Sequence, residues 1–399
     1  MTRQRGEWAL LVQAGLVLAG YTAVRPMASY RAIELGGDNT VIGLLAASFS
    51  VLPLLLAYPV GRRADQFGPA RVIVSGTVVF TVAGTLAATA RSLPVLLGAS
   101  VLLGLGHLIC IVGQQSAVAV ARAGNLDRGF GLLTSAGAVG QIVGPVAAGF
   151  GADAAGGGDW SAASVGIAIG TALCASSVVC LRPLLRTVPR PRQRADLPHS
   201  TSQVAKGMLG VRGMTPTLVS GGLVLAALDL LYTFLPAWAE ERGVSVSTVG
   251  WLLAVRAVLT LLVRLAVDRV VRRVGRRTAI ILSVGLAVVG LVLLPVVGLL
   301  GAVVSMMLLG VGLGAAQPLT MAWVAEAARP GTQGAAMGLR LTANRLAQTA
   351  LPVGVGIVST GVVGVFWMVA GALAISAGAL VRLPPDQPSA GRRNRHPPR

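Results

Sequence analysis

The chain has 399 residues, 54% of them hydrophobic and only 12% charged. That leaves too little polar surface for a water-soluble protein and points to the bilayer as its solvent. A net charge of +19 would suit a nucleic-acid ligand, but the basic residues fall between apolar stretches, which assigns them to membrane loops instead.

A membrane helix needs roughly 20 mostly apolar residues. The sequence predicts twelve, at about 8–30, 41–60, 71–90, 94–121, 129–151, 161–183, 214–238, 247–267, 277–299, 301–325, 334–358 and 361–381. The opening MTRQRGEW and its apolar run superficially resemble a signal peptide, but the run is too long and is read as an uncleaved first helix. Outer-membrane strands would give alternating segments of roughly 10 residues, and none is present. The 52 glycines suit close helix packing.

Arg3, Arg5, Arg62, Arg63, Arg71, Arg122, Arg128, the arginines of 182–212 and 269–277, Arg329, and the tail arginines all occupy alternate loops. The opposite loops hold Arg31, Arg91 and Arg242 beside Glu34, Asp38, Asp153, Asp159, Glu240 and Glu241. This asymmetry places both termini in the cytoplasm of a cell whose inner (plasma) membrane holds the protein, and an even number of spans agrees. Cys110, Cys174 and Cys180 lie inside spans and form no metal or disulfide pattern, so they read as packing residues.

The longest break between spans is rich in Pro, Arg and Ser. It divides the chain into a six-helix unit at 1–185, a cytoplasmic linker at 186–212 and a second unit at 213–383, with a disordered basic tail at 384–399. The halves echo each other. Gly61-Arg-Arg-Ala-Asp65 is answered by Arg264-Leu-Ala-Val-Asp268 at an offset of 203, and Gln141-Ile-Val-Gly-Pro145 by Gln348-Thr-Ala-Leu-Pro352 at 207. Two such units related by an axis along the membrane normal form a transporter plan.

On these residues the whole chain resembles the major facilitator superfamily. Its loop pattern is matched by Gly61, Asp65, Gly68 and Arg71, where the glycines allow a tight turn. In the family this loop latches the two halves in the outward-open state. Gly140, Gly144, Pro145 and Gly149 in span 5 resemble the glycine-proline motif of the 12-helix drug:proton antiporter branch. Plain helix packing is the rival reading. Two departures stand out. Leu102–His107 carries no arginine where many members have one for proton handling, and Arg264 replaces the first glycine of the second loop copy.

Ionisable groups inside a bilayer are costly and mark pathways or buried pairs. Here they are Arg25, His107, Asp229, Arg256, Arg264, Arg340 and Arg345. In the family spans 1, 4, 7 and 10 line the central cavity, which the resemblance assigns to Arg25, His107 and Asp229, with Gln114 and Gln317 as neutral partners. Tyr21 and Arg25 share a helix face, as do Asp229 and Thr233. Arg340, Asn344 and Gln348 form a polar stripe on span 11 with Arg345 beside it. Asp229 reads either as a proton carrier or as half of a permanent ion pair. His107 reads as a proton relay or as a histidine satisfied by backbone. Arg256 and Arg264 read as structurally paired or snorkelling toward the interface.

No phosphate-cradling loop precedes Lys206, and no HExxH, GxSxG or CxxC cluster occurs, so neither an ATP-driven pump nor an enzyme is expected, and no cofactor or metal. The sequence predicts an all-α membrane protein, with twelve helices in two pseudo-symmetric six-helix bundles. It acts as a monomeric secondary transporter that takes a small-molecule substrate and protons within the lipid bilayer and binds no nucleic acid. Proton-coupled export of small hydrophobic or amphipathic compounds is the first reading. Import or exchange of an organic anion is the alternative, because five intramembrane arginines face one aspartate. A non-transporting sensor would bind ligand without solute flux. Mutation of Arg25 and of Arg340 separates the first two: loss of anion affinity supports the anion reading, and indifference of both supports the hydrophobic exporter.

Overall fold

The computed structural model describes residues 2–121, 126–155, 160–187, 209–210, 214–327, 333–358 and 361–381. Apart from residues 186, 187, 209 and 210, the expected linker and the whole of the expected tail lie outside them.

The described chain is helical throughout its long elements. The first half holds α1 (Thr2–Glu34), α2 (Asn39–Phe67), α3 (Pro69–Ala88), α4 (Leu93–Ala121), α5 (Leu126–Ala154) and α6 (Ala162–Ser176), the last continued by a 3-10 turn and a short helix to Thr187. The second half holds α7 (Met214–Glu240), α8 (Val246–Val274), α9 (Arg276–Leu293), α10 (Leu299–Ala327), α11 (Gln333–Val358) and α12 (Val362–Val381). Eleven of these segments are long and apolar enough to cross a membrane. The exception, α11, carries Arg340, Asn344, Arg345 and Gln348 at mid-helix and so falls short on hydropathy although its length suffices. The ninth span also ends earlier than its apolar run: α9 stops at Leu293 and turns at Leu294–Val296, where Pro295 offers no N–H to extend the ladder.

Helix ends are set by local chemistry. On the face opposite the N-terminus (the distal face), Asp38, Ser161 and Ser245 cap α2, α6 and α8, accepting from the backbone N–H of Val41, Ser164 and Thr248. On the terminal face, Gly68 and Gly275 end α2 and α8 with φ of 89° and 80°, a region that favours glycine. Gly61 lies inside α2, so the turn rests on Gly68 alone. Gly68 and Gly275 match at an offset of 207, which replaces the offset of 203 that the charged residues imply.

Packing repeats with a period of six helices. In the first bundle α1 packs on α5 and α6, α3 on α4, and α2 on α4. In the second α7 packs on α11 and α12, α9 on α10, and α8 on α10. Each bundle therefore builds the same scaffold around its first helix, and α1 and α7 meet across the interface.

Two further seams join the bundles, α2 with α11 and α5 with α8, and they are copies of one contact. A Cβ on Gly43 would lie 2.7 Å from the Pro352 carbonyl oxygen and 2.9 Å from Gly356 Cα. On Gly250, 207 residues later, it would lie 2.5 Å from the Pro145 carbonyl oxygen, and on Gly149 it would lie 2.9 Å from Ser247 Cα. Small residues thus let backbones touch where the bundles meet. Polar links follow the same seams: Thr40 Oγ1 donates to the Gly356 carbonyl at 3.4 Å, and the Ser247 N–H donates to Asp153 at 3.1 Å. All of these lie toward the distal face. The span-5 motif divides its work, for Gly140 and Gly144 abut the α1 backbone at Gly15 and Ala19, while Gly149 abuts α8. Cys110 and Cys174 are buried and free, and Cys180 is half-buried and free.

Gly43→Val and Gly250→Val should each overpack a seam and cost the distally closed state about 1–3 kcal/mol. In a cysteine-free background, a reagent confined to the distal side should then label a cysteine placed at Gln141 faster than in the parent. Unchanged labelling would mean that the glycine crossings do not hold this face shut.

Candidate functional site

The most charged part of the interior sits where α1 and α7 meet. Arg25 on α1 and Asp229 on α7 are 1% and 6% exposed, and Arg25 Nη1 donates to Asp229 Oδ1. The pair joins the two bundles through their equivalent first helices. Neutralising each charge with the other offsets much of the cost of holding either one at this depth. The guanidinium carbon lies 5.1 Å from the Phe49 ring centroid and 5.5 Å from that of Tyr21, within cation–π range. Tyr21 meets Phe49 edge-on, with centroids 6.1 Å apart, and stacks on His107 at 3.5 Å and 10°.

This cage leaves polar atoms over. Arg25 Nε and Nη2, Asp229 Oδ2 and His107 Nε2 are buried without a hydrogen-bond partner among the described residues. A closed structural pair would be expected to satisfy them. Thr233 follows Asp229 by one turn but turns its hydroxyl back to the Asp229 carbonyl at 2.9 Å.

A second arginine lies alongside. Arg256 on α8 is 1% exposed, donates from Nη2 to the Tyr232 hydroxyl at 2.8 Å and to Gln141 Oε1 at 3.4 Å, and lies 5.3 Å from the Tyr232 ring. It is fully enclosed and hydrogen-bonded to neutral groups, so it does not snorkel. Tyr232 in turn lies within electrostatic reach of Arg25 and Tyr21. Arg345 on α11 donates to Gln348 at 3.2 Å and lies within reach of Tyr21 and His107 from the other bundle. Tyr21, Arg25, His107 and Asp229 are therefore brought together, while Arg345 and Gln348 bond each other on α11.

The remaining sequence candidates lie apart, toward the terminal face. Gln114 donates to Gln13 at 2.8 Å within the first bundle. Arg340 donates to Gln317 Oε1 at 3.0 Å, and Gln317 donates to the Gly221 carbonyl at 3.3 Å, both within the second. Asn344 is buried near Gly221, and its Oδ1 has no partner among the described residues. Arg264 reaches the Gly314 carbonyl at 3.5 Å. In the loop, Arg71 is exposed and Gly68 is the turn, while the Asp65 side chain lies outside the description.

Sequence reasoning passed over Phe49, Tyr232, Gln141 and Gln13. Tyr232 sits one turn from Asp229 and Gln141 opens the Gln-Pro motif, so both carried a signal; Phe49 is one aromatic in an apolar span and carried none.

The family model of the Major Facilitator Superfamily matches residues 10–228 and 217–398. The chain belongs to the major facilitator superfamily. It is accordingly a multi-pass membrane transporter of small molecules and not an enzyme. A search of curated proteins finds no match. Among solved structures, a variant of the nucleoside transporter NupG is similar at 15% identity and a TM-score of 0.78, covering 94% of this chain and 99% of the other. A POT family transporter bound to a thioalcohol-conjugated peptide is similar at 14% and 0.75, covering 96% and 98%. A bacterial homologue of the human lysosomal transporter Spinster, inward-facing and occupied, is similar at 14% and 0.74, covering 94% and 95%. At these identities the likeness is one of fold.

Asp229→Asn leaves Arg25 as a buried charge without its counter-ion and should destabilise the protein by about 3–5 kcal/mol, read as a lowered unfolding temperature in detergent. Arg25→Met combined with Asp229→Leu should recover most of the loss. A double variant no more stable than Asp229→Asn would show that the pair is not what the single change removes.

Proposed function

We propose that this transporter is a proton-coupled exporter of small hydrophobic or amphipathic compounds, acting as a monomer in the plasma membrane with both termini cytoplasmic. The observation that carries the reading is the Arg25–Asp229 bond, which joins the first helices of the two bundles inside the membrane. Alternating access rocks one bundle against the other around such a site. A bond across the rocking axis must loosen for that to happen, and protonating Asp229 cancels the attraction between the charges, leaving only a hydrogen bond from Arg25 to a neutral carboxyl. Deprotonation restores the pair and draws α1 and α7 together. Asp229 is then the proton carrier, and His107, stacked on Tyr21, lies beside the route.

In the proposed orientation the glycine seams close the outer face, and the loop of Gly61, Asp65, Gly68 and Arg71 lies on the inner face as the latch of the opposite state. The span-5 glycine-proline motif supports export.

The second reading, import or exchange of an organic anion, is favoured by one observation. Beyond Arg25, which Asp229 balances, Arg256 bonds Tyr232 one turn from Asp229 and Arg345 bonds Gln348, and neither has a carboxylate partner among the described residues.

The test is dye-reported proton movement in inverted vesicles with an imposed gradient, challenged with amphipathic drugs, carboxylates and sugars. Drug-triggered collapse of the gradient, abolished in Asp229→Asn at matched insertion, is the expected result. A gradient indifferent to every compound would end the proton-coupled reading, and anion exchange without proton movement would establish the second.

A further inference from the structure

The internal repeat relates the two buried arginines. At the offset of 207 that pairs Gly43 with Gly250 and Pro145 with Pro352, Arg25 corresponds to Tyr232 and Phe49 corresponds to Arg256. Each bundle therefore places one guanidinium over one aromatic ring at the same place between its first two helices, with the residues exchanged: Arg25 over Phe49, and Arg256 over Tyr232. The two differ in what balances the charge. Arg25 has Asp229, whereas among the described residues Arg256 bonds only neutral groups, namely the Tyr232 hydroxyl, Gln141 and, at 3.5 Å, Thr260. Its Nε has no partner among the described residues, and the side chain is 1% exposed.

A guanidinium kept at this depth without a counter-ion is costly, and its usual partner is a carboxylate or phosphate. Its neighbours Tyr232 and Gln141 fix its plane from α7 and α5, so that it bridges the bundles rather than turning toward either interface. We infer that Arg256 is the receptor for the anionic group of an amphipathic monocarboxylate cargo, with Tyr232 and Gln141 as positioning residues that hold the guanidinium. This rests on the transport reading above, though not on its proton coupling. The repeat thus supplies two arginine sites with separate partners: the protein's own carboxylate at Arg25 and the cargo's at Arg256. Since Gln141 and Asp153 lie on α5 and Arg256 and Ser247 on α8, a carboxylate at Arg256 would sit in the α5–α8 seam itself.

The experiment measures thermal stabilisation of the purified full-length protein by phenylacetate, 4-phenylbutyrate and indole-3-acetate, each beside its neutral amide. At least one carboxylate should stabilise the parent more than its amide does. Arg256→Gln should weaken that binding by about tenfold or more, while its ligand-free unfolding temperature holds or rises, because an unbalanced buried charge has gone. Arg256→Lys should keep the preference for the carboxylate at reduced affinity, and Arg242→Gln, far away at the distal face, should match the parent. No carboxylate preference in the parent would overturn the assignment. So would unchanged carboxylate binding in Arg256→Gln, and so would a lower ligand-free stability with the ligand shift intact, which is the signature of a scaffold role. The proton assay with Asp229→Asn reads a different quantity, so proton coupling and this anion site fail or stand separately.

Discussion

Everything in this protein is arranged around holding one ion pair in a medium that opposes charge. Arg25 and Asp229 each offset the cost of burying the other, and they come together only when α1 and α7 approach. The bond is therefore a report on the relative position of the bundles as well as a stabilising contact. The aromatic rings of Tyr21 and Phe49 add a second constraint: they lie against the guanidinium, whose Nε and Nη2 have no partner among the described residues.

The glycine seams set the distance at which the pair can form. Gly43 against Gly356 and Gly250 against Pro145 bring backbones together without intervening side chains on the distal face. Because the two seams are one contact repeated, they close symmetrically about the α1–α7 axis. Charge pairing at depth and small-residue packing at the edge thus describe a single closed arrangement.

Much of the fold was legible in the sequence because the bilayer imposes so few solutions. Apolar length and the Gln-Pro echo were enough to give twelve helices in two units. Boundaries were less legible, as at α9, where apolar residues continue past the helix end and Pro295 decides the matter. Of the site, the intramembrane charges declared themselves, since a lone Asp229 among arginines is conspicuous. Their grouping did not. Arg340, Arg345 and Gln114 have the same composition signal as His107, and only the rotation and depth of each helix separate His107, stacked on Tyr21 beside Arg25, from those that bond inside their own bundle. Phe49 had no sequence signal because an aromatic in an apolar span looks the same whether it faces lipid or a cation.

The central claim is that the charge on Asp229 governs the closed arrangement. Pulsed electron resonance between spin labels at Leu44 on α2 and Ile357 on α11, recorded across a pH series, tests it directly. The account predicts a short distance at high pH that lengthens on acidification, and a long distance at every pH in Asp229→Asn. A distance in Asp229→Asn that follows pH as the parent does would contradict it.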